Sequence, residues 1–454
     1  MHSPIGSKRY ELKKLLHLMW PILITQFAQA GLGLIDTIMA GRLSAADLAA
    51  IAVGVGVWMP IMLLFSGIMI AATPLVAEAK GAKNDAQIPV IAQQSLWLAL
   101  ILGIAGLCTL QVMPAFLPMM GVPASLIPKA SLFLHAIAFG MPAVTLYAAL
   151  RSYSEALGYP RPVTMISLLA LVAIVPLNTV FMYGVGPIPA LGSAGCGFAT
   201  AIVQWLMFIS LAVYIRHAAQ YQAVQVFRGW NPIQKAWLKR IFMLGFPIGL
   251  AIFFEVSLFS TAAIVVSPLG ETMLAAHQIG ISVTSQLFMI PMSLAIAVTI
   301  RTGMYYGEKN WTAMYNVQKM GFLSATLFAL ITMLLLGLLR PQILAIYTLD
   351  PAVIDVGMGL LLFALAYQLM DAWQITAAGC LRGMQDTRGP MWITLIAYWF
   401  IAFPCGVYLT RFRDDVGVYG VWVGLIVGLA VACVLLLTRL KQNNTRLANG
   451  NAKV

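Results

Sequence analysis

Charge is what this sequence has least of. Asp, Glu, Lys and Arg make up 9% of its 454 residues, beside a hydrophobic share of 61%. A soluble globular chain carries about 25% charge, so that class is excluded. Cysteine is scarce as well. Cys108, Cys196, Cys380, Cys405 and Cys433 stand in apolar or Gly-rich surroundings without C-x-x-C spacing, which argues against a disulfide framework or a thiolate metal site. There is no H-E-x-x-H, no G-x-S-x-G, no P-loop and no Cys/His cluster, so neither an enzyme nor a nucleotide-driven machine is indicated. No cleavable leader is expected either. Ala28-Gln29-Ala30 follows Lys13-Lys14 in the manner of a signal-peptidase site, but the apolar run continues past residue 30 as the first helix of a repeated unit.

What the sequence does have is apolar runs of roughly 20 residues, the length a membrane-spanning helix needs. Short polar or Gly/Pro-rich breaks divide them into twelve expected helices. The first two repeat: shifted by 226 positions, Lys14–Asn84 falls on Arg240–Asn310 without a gap. Leu18, Pro21, Ile22 and Phe27 meet Leu244, Pro247, Ile248 and Phe253, while Gly81, Lys83 and Asn84 meet Gly307, Lys309 and Asn310. About a quarter of the aligned positions are identical, and a shared Pro, Gly and Lys-Asn in one register is not a product of apolar composition. Pro176 pairs more loosely with Pro404.

The expected fold is therefore an all-α polytopic membrane protein, with twelve helices in two six-helix lobes related by a pseudo-two-fold axis. The lobes are read as residues 1–215 and 241–440, joined by a polar linker at 216–240 and followed by a disordered tail at 441–454. Residues 1–13 read as a short polar tail. Gly31 and Gly33 are expected where helices approach closely. With the amino terminus placed in the cytoplasm, 22 of the 27 Lys and Arg fall on the cytoplasmic side. The positive-inside rule then accounts for the net charge of +12 without a nucleic-acid or other anionic partner.

Three acids lie inside apolar runs: Asp36, Glu255 and Asp371. A charged side chain at the bilayer centre costs about 2.5–3.5 kcal/mol on insertion scales, and no Lys or Arg of the same spans is placed to pair with them. Such carboxylates bind a cation or a proton. Tyr367, Asp371 and Gln374 share one helix face, as do Gln29 and Asp36. Asn178 is a candidate partner for Asp36. Gln278 and His277 open a helix, where His277 reads as interfacial. Phe253, Phe254, Phe288, Met289 and Trp373 are candidates for a plastic apolar wall against a large organic cation. The register sets Gln29 opposite Glu255 and Asp36 opposite Ala262, so the halves share a backbone plan and not a charge pattern. A porter of the major facilitator type would also have two six-helix halves, but the loop Glu78-Ala-Lys-Gly-Ala-Lys-Asn84 lacks its Asp/Arg-rich motif.

The run from Pro21 to Gly41 that contains Asp36 resembles the first helix of the multidrug and toxic compound extrusion (MATE) family, NorM branch. So do Phe253-Phe-Glu255-Val, Ala275-Ala-His-Gln278, Tyr367-Gln-Leu-Met-Asp371, Leu381-Arg-Gly383 and Pro176-Leu-Asn178. The resemblance implies a V-shaped pair of lobes in a bacterial inner membrane, multi-pass, with both termini cytoplasmic. It implies export of lipophilic cationic drugs such as fluoroquinolones, dyes and cationic antiseptics in exchange for inward Na⁺ or H⁺, with no cofactor and a monomeric chain. Asp36 and Asn178 would form the amino-lobe site. Glu255 and Asp371, with Tyr367 nearby, would form the carboxyl-lobe site and hold Na⁺ if sodium is the coupling ion. Relatives often carry a second Asn one turn before Asn178, where this chain has Ile174. The rival within the superfamily is a lipid-precursor flippase, which would need cavity-facing cations where this sequence shows acids.

Overall fold

The computed structural model describes residues 5–413 and 416–449. Fifteen α-helices carry nearly all of them: α1 (Lys8–Leu43), α2 (Ala45–Met69), α3 (Ala72–Gly81), α4 (Gln87–Val112), α5 (Ile127–Ala138), α6 (Met141–Ala156), α7 (Pro160–Asn178), α8 (Ser193–His217), α9 (Lys235–Val266), α10 (Glu271–Gly307), α11 (Trp311–Tyr347), α12 (Pro351–Gly383), α13 (Arg388–Leu395), α14 (Phe403–Phe412) and α15 (Tyr419–Ala448). An isolated bridge between Val185 and Ile188 is the only extended pairing among the described residues. Among the described residues, eleven helical spans are long and apolar enough to cross a bilayer. The pair α5 and α6, bent by 43°, makes a twelfth when taken as one. Exposed leucines such as Leu334, Leu338 and Leu169 belong against lipid, which is as apolar as they are.

The repeat is visible in the backbone. Lys83 and Lys309, partners in the 226 register, are both left-handed, with φ of 55° and 54°. The next residue closes the helix end in each case. Asn84 N–H reaches Ala79 O at 2.9 Å, and Asn310 N–H reaches Tyr305 O at 3.0 Å. This six-to-one bond satisfies carbonyls that a helix terminus leaves open. The shared Lys-Asn thus marks the same turn twice.

The chain groups into two compact bundles. One comprises Trp20–Gly249, the other Met1–Met19 with Leu250–Val454. The divisions fall inside α1 and α9, not at the 216–240 segment where the sequence reading placed the linker. That segment packs within the first bundle. Gln93 Nε2 donates to Val226 O at 2.6 Å, Gln94 Nε2 to Pro232 O at 2.8 Å and Tyr153 Oη to Val224 O at 2.6 Å. Tyr221 is fully buried against Tyr153 and Tyr159. A polar composition marked a strap whose carbonyls are capped by buried amides.

The core of the first bundle gathers Ile51, Leu110, Phe133, Leu134 and Met141. α4 and α6 touch at Gly103, where a Cβ would lie 2.5 Å from Pro142 Cα. Gly31 does face a neighbour, since its Cβ would meet Leu171 Cδ1 at 2.8 Å, but Gly33 has nothing within 4 Å and is no close approach. In the second bundle, Leu258, Val283, Leu360, Tyr367 and Trp422 share a core.

The described parts of both expected polar tails are structured. Glu11, in the first turn of α1, is fully buried and takes Arg301 in a two-pronged bond of 2.9 and 2.8 Å, with Tyr305 Oη donating at 2.6 Å. At the other end α15 runs on to Ala448. Asn443 Nδ2 donates to Asp386 at 2.7 Å and Asn444 exchanges bonds with Gln318. Residues 450–454 lie outside the described residues.

Candidate functional site

Asp36 sits in α1 of the first bundle, 8% exposed. Asn178, the last residue of α7, donates its Nδ2 to Asp36 Oδ1 at 2.6 Å, and Thr200 Oγ1 on α8 donates to Oδ2 at 2.9 Å. The Cys196 thiol completes the set. Cys196 and Thr200 are four residues apart on α8, so one helix face presents both. α7 gives way after Asn178 to a π-helical turn, Thr179–Tyr183, which starts three residues past Pro176. Wide turns of this kind concentrate at functional positions. Every bonded partner of Asp36 is neutral. The Asn178 Oδ1 is buried with no partner of its own among the described residues, so the pocket holds an unused acceptor beside a carboxylate.

Gln29 shares the helix but not the site. Its Oε1 accepts from Arg151 Nη1 at 3.1 Å, and Arg151 also donates to Gln26 at 2.8 Å and Glu155 at 2.8 Å. Arg151 is a half-buried arginine that the sequence presents only as an orienting charge. Its charge is matched by Glu155.

The second bundle holds the other two acids. Asp371 on α12 is 9% exposed, and Glu255 on α9 is half-buried. The two carboxylates lie close enough to act on each other electrostatically, and Gln374 hydrogen-bonds to Asp371. No hydrogen bond reaches the Glu255 side chain among the described residues; its electrostatic neighbour there is Arg382 on α12. From the sequence, no Lys or Arg is expected within the same spans as these acids. Arg382 lies about three turns beyond Asp371 on the same helix, and among the described residues no ion pair joins it to Glu255. Tyr398 lies in a second π-helical turn, Ile396–Ala402. It is within electrostatic reach of both acids, and its hydroxyl is buried without a partner among the described residues.

Tyr367 is buried on the face expected of it, bonded to Thr284 and stacked on Trp422 with ring centres 6.0 Å apart. Trp422 in turn meets His277 edge-on at 6.1 Å and donates to its Nδ1 at 3.2 Å. His277 is therefore no interfacial residue; it is fully buried behind the aromatic stack. Gln278, one residue on, is exposed. Phe253 and Phe254 contact each other edge-on at 6.3 Å, and Phe254 O accepts from Trp399 Nε1 at 3.2 Å. Phe288 and Met289 are half-buried on α10. Trp373 turns toward α11, where Thr326 accepts its Nε1 at 2.9 Å and Phe322 meets it edge-on. Among the described residues no three His, Cys, Asp or Glu are grouped to hold a metal.

Twofold repeated membrane-spanning helices, with carboxylates lodged inside each bundle, define a multi-pass membrane transporter. The comparisons agree. The MatE family model matches the chain twice, over residues 21–180 and 247–408, and the two starts are separated by the same 226 positions as the internal repeat. The chain belongs to the MatE family. It is 72% identical over 446 residues to the "Probable multidrug resistance protein NorM" of Acinetobacter baylyi, covering 98% of this chain and 99% of that one. It is 40% identical over 443 residues to the "Multidrug resistance protein NorM" of Aliivibrio fischeri, covering 96% of each. The crystal structure of the eukaryotic MATE transporter AtDTX14 has a TM-score of 0.87 at 19% identity, covering 98% of this chain and 99% of that one, and shares the fold.

Proposed function

We propose that this chain is a multidrug efflux antiporter of a bacterial inner membrane, with both termini in the cytoplasm. It exports lipophilic cationic compounds (fluoroquinolones, dyes and cationic antiseptics) and takes up Na⁺ or H⁺ by alternating access, as a monomer without a cofactor. The observation that carries this reading is Asp36: a buried carboxylate bonded only to neutral donors. A buried charge without a partner is costly, and a proton, a metal ion or an organic cation removes that cost. Glu255 and Asp371 add a second such place, where two acids interact and the Tyr398 hydroxyl, without a partner among the described residues, stands by. Exchange follows when the incoming ion and the outgoing cation compete for these carboxylates, each shifting the conformational balance by its differential affinity.

The flippase reading finds less support. Half-buried Arg151 and buried Arg301 are each matched by a glutamate, and Arg382 has Glu255 as its electrostatic neighbour, so none of the three guanidiniums stands clear of an acid for a phosphorylated substrate. The test is a vesicle assay in which a cationic dye is added to ion-loaded vesicles and the released ion is recorded at several pH values. Dye uptake coupled to release of Na⁺ or H⁺, lost in Asp36→Asn, is the expected result. Wild-type transport by Asp36→Asn, Glu255→Gln and Asp371→Asn alike would overturn the site assignment.

A further inference from the structure

We propose that the groove between the start of α11 and the end of α15 binds an anionic phospholipid. The groove encloses about 540 Å³. Lys319 and Lys441 flank it, Phe322, Leu437 and Leu440 form its apolar floor, and no acidic residue lines it. Its walls are tied together: Asn444 Nδ2 donates to Gln318 Oε1 at 2.8 Å, and Tyr315 Oη donates to Asn444 O at 2.6 Å. The cleft is therefore preformed. Both lysines are exposed, and neither has an acidic partner among the described residues.

Depth identifies the occupant. Leu323 and Leu327, each 56% exposed, stand one and two turns further along α11, and Val434 on α15 is 62% exposed. Lys319 thus lies about 6 Å beyond Leu323 and Lys441 about 10 Å beyond Val434 along their helices, at the level of head groups. A phosphate placed between them satisfies both charges, and its acyl chain covers the floor. A soluble anion would meet the lysines and leave the half-buried Phe322 and Leu437 wet. Paired basic residues at the cytoplasmic end of spanning helices favour anionic lipid by roughly fivefold each.

The test uses the full-length protein, stripped of lipid in detergent and titrated with phosphatidylglycerol or phosphatidylcholine, with bound lipid counted by the mass of the intact complex. Phosphatidylglycerol is expected to bind more tightly than phosphatidylcholine. Lys319→Gln with Lys441→Gln lowers its affinity by about thirtyfold, Lys319→Arg with Lys441→Arg retains it, and Lys235→Gln with Lys239→Gln leaves it unchanged. Three results would overturn the proposal: equal binding of the two lipids, no loss on neutralising Lys319 and Lys441, or displacement of the lipid by equimolar glycerol phosphate, which has no chains to seat.

Discussion

The two acidic places differ in how much of their hydrogen bonding is already done. Asp36 is met by an amide, a hydroxyl and a thiol. Asp371 has Gln374, and Glu255 has no hydrogen bond among the described residues. The first pocket is organised around one carboxylate; the second holds two with few donors. One backbone plan, repeated at 226 positions, thus carries two different electrostatic problems. The lesson is that the repeat conserves helix ends and turns, such as Lys83 and Lys309, while the chemistry between them is free to diverge.

The sharpest way to break this comparison is Asp36→Asn. We expect dye transport to fall to the background of empty vesicles, with thermal stability in detergent unchanged or raised, because a buried charge is removed. Next come Glu255→Gln and Asp371→Asn, singly and together. If the two acids act as one place, the double variant is not the sum of the singles, and a mutant cycle on transport rate returns a coupling of about 0.5–3 kcal/mol. Additive effects would mean that they act separately.

The bundles also contrast in their ion pairs. Glu11→Gln strands the buried Arg301 and costs about 3–5 kcal/mol, read as an earlier unfolding transition, with Glu11→Gln/Arg301→Met recovering most of it. Arg240→Gln breaks a half-exposed pair with Glu78, 3.2 Å long, and is worth at most about 1 kcal/mol. The smallest effect on the site is that of Thr200→Val. It removes one donor from Asp36, worth about 1.5–3 kcal/mol at a charged acceptor, while Asn178 and Cys196 remain, so transport slows without being abolished.

Much of this was legible in the sequence. An acid in an apolar run is conspicuous wherever it occurs, and Asn178 stood out for the same reason. Cys196 and Thr200 did not, because a small residue in a Gly-rich helix reads as packing until a carboxylate is seen opposite. Tyr398 was hidden in an aromatic run, and its approach to the acids depends on a π turn that has no sequence signature of its own. His277 was misread because its position near a helix start says nothing of Trp422, 145 residues away. Glu11 and Arg301 are separated by 290 positions, and each looked like ordinary loop charge. What the sequence reading missed was pairing at long range, which composition and periodicity do not encode.

The crossing of α1 and α9 from one compact grouping to the other bears on biogenesis. During synthesis, Trp20–Gly249 is complete once the opening turns of α9 have emerged, whereas Met1–Met19 must wait for α10 before Glu11 has a guanidinium to meet. The oldest segment of the nascent chain is thus among the last to dock. A gene cut at the 216–240 strap would yield two fragments, each deprived of a helix start that the other carries.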